Sequence, residues 1–376
     1  MSLSPKCAGN TRSCEVSATG QQRDGSLDAL RGGDVILMIL VNLQGSDDAA
    51  LALLKHAPWN GLTFADLVFP IFLLVTGLSV PLALDRPGAA IDWRKLVRRT
   101  LLLFAIGVVL GWLIKPSLDP AMIRWAGVLQ RIAVVYFLCA IVAAVRRGPW
   151  LAALLAILLL SIHAAVLLLV AAPGEAAPTL AQGAGISAWL DQQFLPGRVH
   201  RVTWDPEGIL STVSAIANGL IGVATMRWIT LRRPPGAGLI VLALALIGAG
   251  LVLTHVLPLN KGLWTPSFAL VTSGAGLLVW ALLRAVWPVI GDKQIMLWLV
   301  SIGRAALTVY VVHMLLIALI VRRLPDGTSV WEWLFEKVAH WCQPPALAAL
   351  VFAVLATAAT LALIPPLRRR GWILRV

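Results

Sequence analysis

About ten stretches of roughly twenty apolar residues, separated by charges or by Pro and Gly clusters, occupy most of this chain. A helix of about twenty residues reaches across the roughly 30 Å hydrocarbon core of a bilayer, and it satisfies its own backbone there. The approximate limits are 28–45, 62–84, 96–114, 126–145, 149–171, 208–231, 236–257, 264–287, 298–321 and 345–366. Arg31 and Asp34 fall in the opening turns of the first, where an i, i+3 pair of opposite sign neutralises itself on one helix face. Only 13% of residues are charged, against about 25% in a soluble domain. The expected fold is therefore all-α, a polytopic transmembrane helical bundle of about ten spans.

The net charge of +13 does not point to nucleic acid, because the basic residues form short clusters between apolar runs. These are Arg94-Lys95 with Arg98-Arg99, Arg146-Arg147, Arg232-Arg233 and Arg368-Arg369-Arg370. With an even number of spans all four clusters share a side with both termini, which the positive-inside rule makes cytoplasmic. Residues 1–27 are polar and lack the apolar core of a signal peptide. They read as a disordered cytoplasmic tail ahead of one membrane domain, 28–376. The four cysteines have no paired spacing, so neither a metal site nor a disulfide framework is expected. The chain holds no GxSxG, HExxH, Walker A or helix-opening GxGxxG pattern, which removes support for serine hydrolases, zincins and nucleoside triphosphatases.

The stretch HAPWNGLTFADLVFP, His56 to Pro70, puts an ionisable His, an Asn-Gly turn and the membrane-entering Asp66 in one connection between spans. Other polar groups converge on the same depth: Asn42 closes the first span, Arg124, Gln130 and Arg131 open the fourth, Asp205 and Glu207 precede the sixth, and Asn260, Lys261 and Trp264 lead into the eighth. A merely structural bundle does not require this convergence. A carboxylate at Asp66 can fix the tautomer of His56 and leave its other nitrogen as a base.

Bland readings stand beside these. Asn42 reads as a helix C-cap or as an amide donor to an oxyanion. Asp66 has Arg131 as an available structural partner, and Asp205 and Glu207 suit a helix N-terminus. Trp59, Trp204 and Trp264 fit an aromatic belt or a sugar-stacking platform. His163 and His313 read as core residues, and Arg304 as a snorkelling side chain or a phosphate contact. A transporter or flippase is the rival functional class, for which a polar site at the membrane centre is expected.

SLDALRGGDVILMILVN (26–42), HAPWNGLTFADLVFPIFLLVTGLSVPLAL (56–84), RWAGVLQRIAVVY (124–136), WDPEGILSTVSAIANGLIGV (204–223) and PLNKGLWTPSFALVTSGAG (258–276) resemble, in order, blocks of the heparan-alpha-glucosaminide N-acetyltransferase family and its bacterial relatives. The resemblance implies acetyl-CoA as co-substrate donor, without a metal, and the amine of a terminal glucosamine-type sugar or glycan as acceptor. The family's active-site His falls on His56 and its helix-ending Asn on Asn42. The family's lysosomal member carries an extra N-terminal domain and span, where this chain is expected to have only the short tail. The resulting expectation is a multi-pass enzyme of the bacterial inner membrane facing the periplasm, with a homodimer allowed. Catalysis is expected from His56, Asn42 and Asp66. Acceptor binding is expected from Trp59, Arg124, Gln130, Arg131, Asp205, Glu207, Asn260, Lys261 and Trp264, and contact with the CoA phosphates from Arg98, Arg99, Arg227 and Arg304.

Overall fold

The computed structural model describes residues 24–46, 48–84, 91–145, 147–234, 236–325 and 327–374. Residues 1–23 of the expected tail, and Arg146 of the basic clusters, lie outside the described residues. Among those described, fourteen α-helices and no β-strands form a polytopic bundle. Asp24 caps α1 (Gly25–Asn42) by accepting from the backbone N–H of Ser26 and Leu27, so this helix starts earlier than its apolar run. The chain continues through α2 (Phe64–Leu84), α3 (Trp93–Ile114), α4 (Val128–Val145), α5 (Trp150–Leu169), a short α6 (Gly185–Phe194), α7 (Ile209–Arg232), α8 (Gly236–Leu253) and α9 (Pro266–Ile290). It ends with α10 (Gln294–Arg304), α11 (Ala306–Ile320), α12 (Val330–Trp341), α13 (Pro345–Ala362) and α14 (Ile364–Arg369).

Among the described residues, eight helices are long and apolar enough to cross a membrane, or nine if α10 and α11 count as one span bent by 76°. The ninth expected span is thus broken at Ala305. Arg304 ends α10 at this break, its Nε 3.4 Å from the carboxylate of Asp28. The first expected span, α1, carries Asp28, Arg31 and Asp34 and is not itself among the eight, yet it packs among α2, α9, α10, α11 and α13. Its charges are largely met inside: Arg31 donates to Asp28 at 2.5 Å and to Ser79 of α2 at 2.6 Å. A charged helix is tolerable at this place because its neighbours, not lipid, surround it.

Apolar faces alone give little drive for helices to associate inside lipid, so close backbone approach has to supply packing. Two crossings do this. Gly77 of α2 lies against the carbonyl of Gly219 in α7, and Gly222 of α7 lies against the carbonyl of Leu74. Gly32 of α1 meets Leu299 and Gly303 of α10 in the same manner. A Cβ at Gly77 would collide with the Gly219 backbone, whereas one at Gly111 in α3 would meet no heavy atom within 4 Å. Overpacking of this kind costs about 1–3 kcal/mol. Gly77→Ala is therefore expected to lower the thermal unfolding midpoint in detergent while Gly111→Ala leaves it unchanged. Equal midpoints for the two variants would contradict the crossing.

Candidate active site

The connection after α1 folds back so that Asp66, one turn into α2, faces it. Thr63-Phe64-Ala65-Asp66 has the spacing with which an acidic side chain reaches back over its own helix start. Asp66 Oδ2 accepts from Thr63 N at 3.1 Å, Thr63 Oγ1 at 2.9 Å and Ala57 N at 3.0 Å. Its Oδ1 lies 2.8 Å from His56 Nδ1. With a carboxylate as partner, Nδ1 carries the proton and Nε2 keeps the lone pair. The Asp66 side chain has no exposed surface, and that of His56 is 46% exposed.

Lys261 completes the group. It lies in the turn between α8 and α9, its Nζ 3.0 Å from His56 Nδ1, 3.2 Å from Nε2 and 3.5 Å from Asp66 Oδ1. Since Nδ1–H is committed to Asp66, the lone pair that Lys261 can reach is that of Nε2. Burial holds the Lys261 amine below its ordinary range, only partly offset by Asp66 and Glu207. The turn is fixed from both sides. Asn60 and Asn260 form an isolated antiparallel bridge, Asn260 Nδ2 donates to Asn60 Oδ1 at 2.9 Å, and Leu263 N donates to Asn260 Oδ1 at 2.8 Å.

Several expected acceptor contacts are instead packed inside. Trp264 is 1% exposed, donates from Nε1 to Asn218 Oδ1 at 2.8 Å and belongs to the core, not to an interfacial belt. Arg131 does not pair with Asp66. Its guanidinium lies over the Trp264 ring at 4.8 Å and donates to Pro206 O and Ser211 Oγ at the start of α7. Gln130 fills the space left by Gly107 and Gly127, and the amide of Asn260 is spent on the turn. The side chains of these four residues are engaged with partners inside the protein.

Arg124, Asp205 and Glu207 form a latch. Arg124 donates from Nε and Nη2 to both carboxylate oxygens of Asp205, at 2.8 and 2.5 Å, and from Nη2 to Glu207. Burial works to raise the Asp205 carboxyl, but Arg124 and the N–H groups of Glu207 and His200 outweigh it and hold it below the usual range. The latch pins the 170–208 segment beside His56. There Trp204 packs edge-on against Trp59 at 4.9 Å between ring centroids, and Trp59 Nε1 donates to Leu180 O.

The amide of Asn42 lies 3.4 Å from His313 Nε2 of α11. His313 is buried as expected for a core residue, but sequence reading missed this pairing, which no local pattern announces. Among the residues expected at phosphates, Arg227 is buried and donates to Ala143 O. Arg98 and Arg99 do not face one ligand. Arg99 turns toward Tyr136 of α4, 4.5 Å from its ring centroid, while Arg98 is exposed on the outer face of α3.

The family profile described as "Heparan-alpha-glucosaminide N-acetyltransferase, catalytic" matches residues 23–177, which include Asn42, His56 and Asp66. Over that segment the chain is similar to this family. It is 27% identical to the heparan-alpha-glucosaminide N-acetyltransferase of Homo sapiens, across 71% of this chain and 49% of that protein. The Mus musculus enzyme of the same name is also 27% identical, across 74% of this chain and 51% of that protein. The chain thus spans about half the length of the curated relatives it matches.

Asp191 of α6 accepts from the backbone N–H of Asp205 at 3.1 Å and Ile209 at 2.9 Å, capping α7 beneath the latch. Burial pushes its carboxyl up to about 6, against the opposing pull of those two N–H groups. A carboxyl raised on folding binds its proton more tightly in the native state, so its stabilising contribution is full below the unfolded value of 3.8 and is lost as pH rises through about 6. Asp191→Asn, which mimics the neutral acid, is expected to flatten the change in thermal midpoint between about pH 4 and 6. An unchanged slope would remove Asp191 as its source.

Proposed function

We propose that this chain is a membrane-embedded N-acetyltransferase that moves an acetyl group from acetyl-CoA to the amine of a terminal glucosamine-type sugar. The observation that carries the reading is the Asp66–His56–Lys261 cluster, with His56 half-exposed and its Nδ1 held by Asp66; His56 and Asp66 lie within the segment that matches a catalytic family profile. Acetyl transfer from a thioester to an amine needs a base and a donor for the developing oxyanion. In the direct route the amine nitrogen attacks the thioester carbonyl, His56 Nε2 takes the amine proton, the C–S bond breaks and CoA leaves as a thiolate that is then protonated. In a two-step route Nε2 attacks the thioester carbonyl and CoA leaves as a thiolate; the amine then displaces the acetyl group from Nε2, which takes up the amine proton as it is freed and passes it to the thiolate. Both routes use the same side chains, with Asn42 donating to the carbonyl oxygen and Asp66 orienting His56.

The acceptor would enter past Trp59 and Trp204. CoA would come from the cytoplasm, where the basic clusters lie, and Arg99 of α3 turns toward Tyr136 of α4 at that end. The acceptor side would then be the periplasm. Helix α1 runs between the two ends, with Asp28, Arg31 and Asp34 toward one and Asn42 at the other.

Incubation with acetyl-CoA and a panel of amino sugars, read as an acetyl mass gain, tests the activity. His56→Ala is expected to reduce turnover by about 10²–10⁴-fold. Asp66→Asn is expected to give a smaller loss. Wild-type turnover in His56→Ala would sink the assignment.

Lys261 gives the reaction a pH dependence with a defined sign. In its charged form it donates to Nε2 and occupies the base. Its depressed pKa releases Nε2 at lower pH than an ordinary lysine would. The rate is therefore expected to rise as Lys261 loses its proton, and Lys261→Arg, permanently charged, is expected to lack that rise. Because the acceptor amine titrates identically for both proteins, the ratio of their kcat/KM profiles isolates the lysine. A pH-independent ratio would refute this role.

A further inference from the structure

Helix α3 is the least enclosed of the spanning helices, with 11% of its apolar window buried inside the protein. Side chains four residues apart form ridges along a helix, with a groove between neighbouring rows. On the outer face of α3 one row is Trp93, Val97, Leu101 and Ala105, and the next is Arg94, Arg98 and Leu102. Together they line a groove of about 620 Å³. Its two guanidiniums lie at the same end, one turn apart, and the rest of the lining is apolar apart from the Trp93 indole. Among the described residues no acidic side chain lines it. Asp92, the nearest acid in sequence, is occupied capping α3 through Lys95 N at 3.0 Å. Neither Arg94 nor Arg98 makes an ion pair among the described residues.

We infer that this groove is a seat for an anionic phospholipid, with the headgroup phosphate held between Arg94 and Arg98 and an acyl chain along Val97, Leu101 and Ala105. Charge complementarity selects the occupant. Guanidiniums bind phosphate through paired N–H donors, and an unpaired basic pair at a membrane-helix end attracts anionic headgroups. Trp93 lies level with the two charges, where an indole suits the headgroup layer. The apolar rows run from there over more than two helical turns, which a free phosphate would leave uncovered and an acyl chain would cover. The neighbouring Arg99 does not belong to this seat, because it turns inward over Tyr136.

Native mass spectrometry of the full chain, released from mixed vesicles of phosphatidylglycerol and phosphatidylcholine, tests the inference. Retained phosphatidylglycerol is expected to exceed phosphatidylcholine. Arg94→Gln and Arg98→Gln are each expected to weaken phosphatidylglycerol retention by about fivefold, the effect of removing one basic charge near an anionic membrane surface. Arg147→Gln, on the loop between α4 and α5, serves as the control and is expected to retain the wild-type level. Ala105→Trp, which blocks the apolar part without touching the charges, is expected to lower retention of the lipid but not the weak binding of inorganic phosphate. Equal retention of the two lipids overturns the proposal, as does phosphatidylglycerol retention that survives in the Arg94/Arg98 double variant. A dimer mass that persists in detergent and is lost on Ala105→Trp would assign the groove to a second copy and likewise overturn it. Matching elution profiles for all variants establish that any loss reflects the seat and not misfolding.

Discussion

A carboxylate with no exposed surface must be surrounded by donors, and the arrangement around Asp66 sets much of what stands at this end of the bundle. Its two oxygens collect Thr63 N, Thr63 Oγ1, Ala57 N and His56 Nδ1, with Lys261 Nζ close by. Those donors come from the entry to α2, from the connection that follows α1 and from the turn between α8 and α9. One buried charge thus fixes the start of α2, folds the preceding connection over it and draws in a turn 195 positions further along the chain, from Asp66 to Lys261. The exposed edge of His56 is a consequence, since its buried edge is already committed.

The layer beneath carries the cost of holding polar groups near the membrane. Asn218 accepts from Trp264 Nε1 and donates to Ala269 O and Ser273 Oγ, and Arg131 rests over the Trp264 ring while bonding the start of α7. These contacts strengthen the association of helices that apolar faces alone would hold weakly. The Arg124–Asp205–Glu207 latch closes the layer at its rim and ties the 170–208 segment to the turn before α4.

Sequence made the spans legible because about twenty apolar residues in a row have few other outcomes. The depth of the polar residues was legible too, since it follows from distance to a span end. The Thr63–Asp66 spacing and the Ser329–Glu332 capping box that opens α12 are likewise local. What failed to show was partnership. Asp66 had Arg131 as a reasonable partner by depth, but depth fixes one coordinate and leaves the angle around the bundle open. Lys261 and His56 are 205 positions apart, Arg124 and Asp205 81, and no periodicity encodes such pairings. The break at Ala305 was hidden for a related reason. It lies beside the glycine crossing of Gly303 with Gly32 and the approach of Arg304 to Asp28, both contacts with a helix at the other end of the chain.

That break also changes how α1 should be regarded. A helix with three charges among its eighteen residues is a poor candidate to cross lipid alone, and its surroundings supply what it lacks. Near one end Asp28 meets Arg31 and Arg304, in the middle Gly32 lies against α10, and at the other end Asn42 meets His313 of α11. A single straight span follows one direction past its neighbour, whereas a span turned by 76° presents α10 to one part of α1 and α11 to another. The apolar helices therefore serve as a casing around a polar one. In a bundle whose basic clusters and ionisable cluster lie at opposite ends, that inner helix places Asp28, Arg31 and Asp34 toward one end and Asn42 at the other.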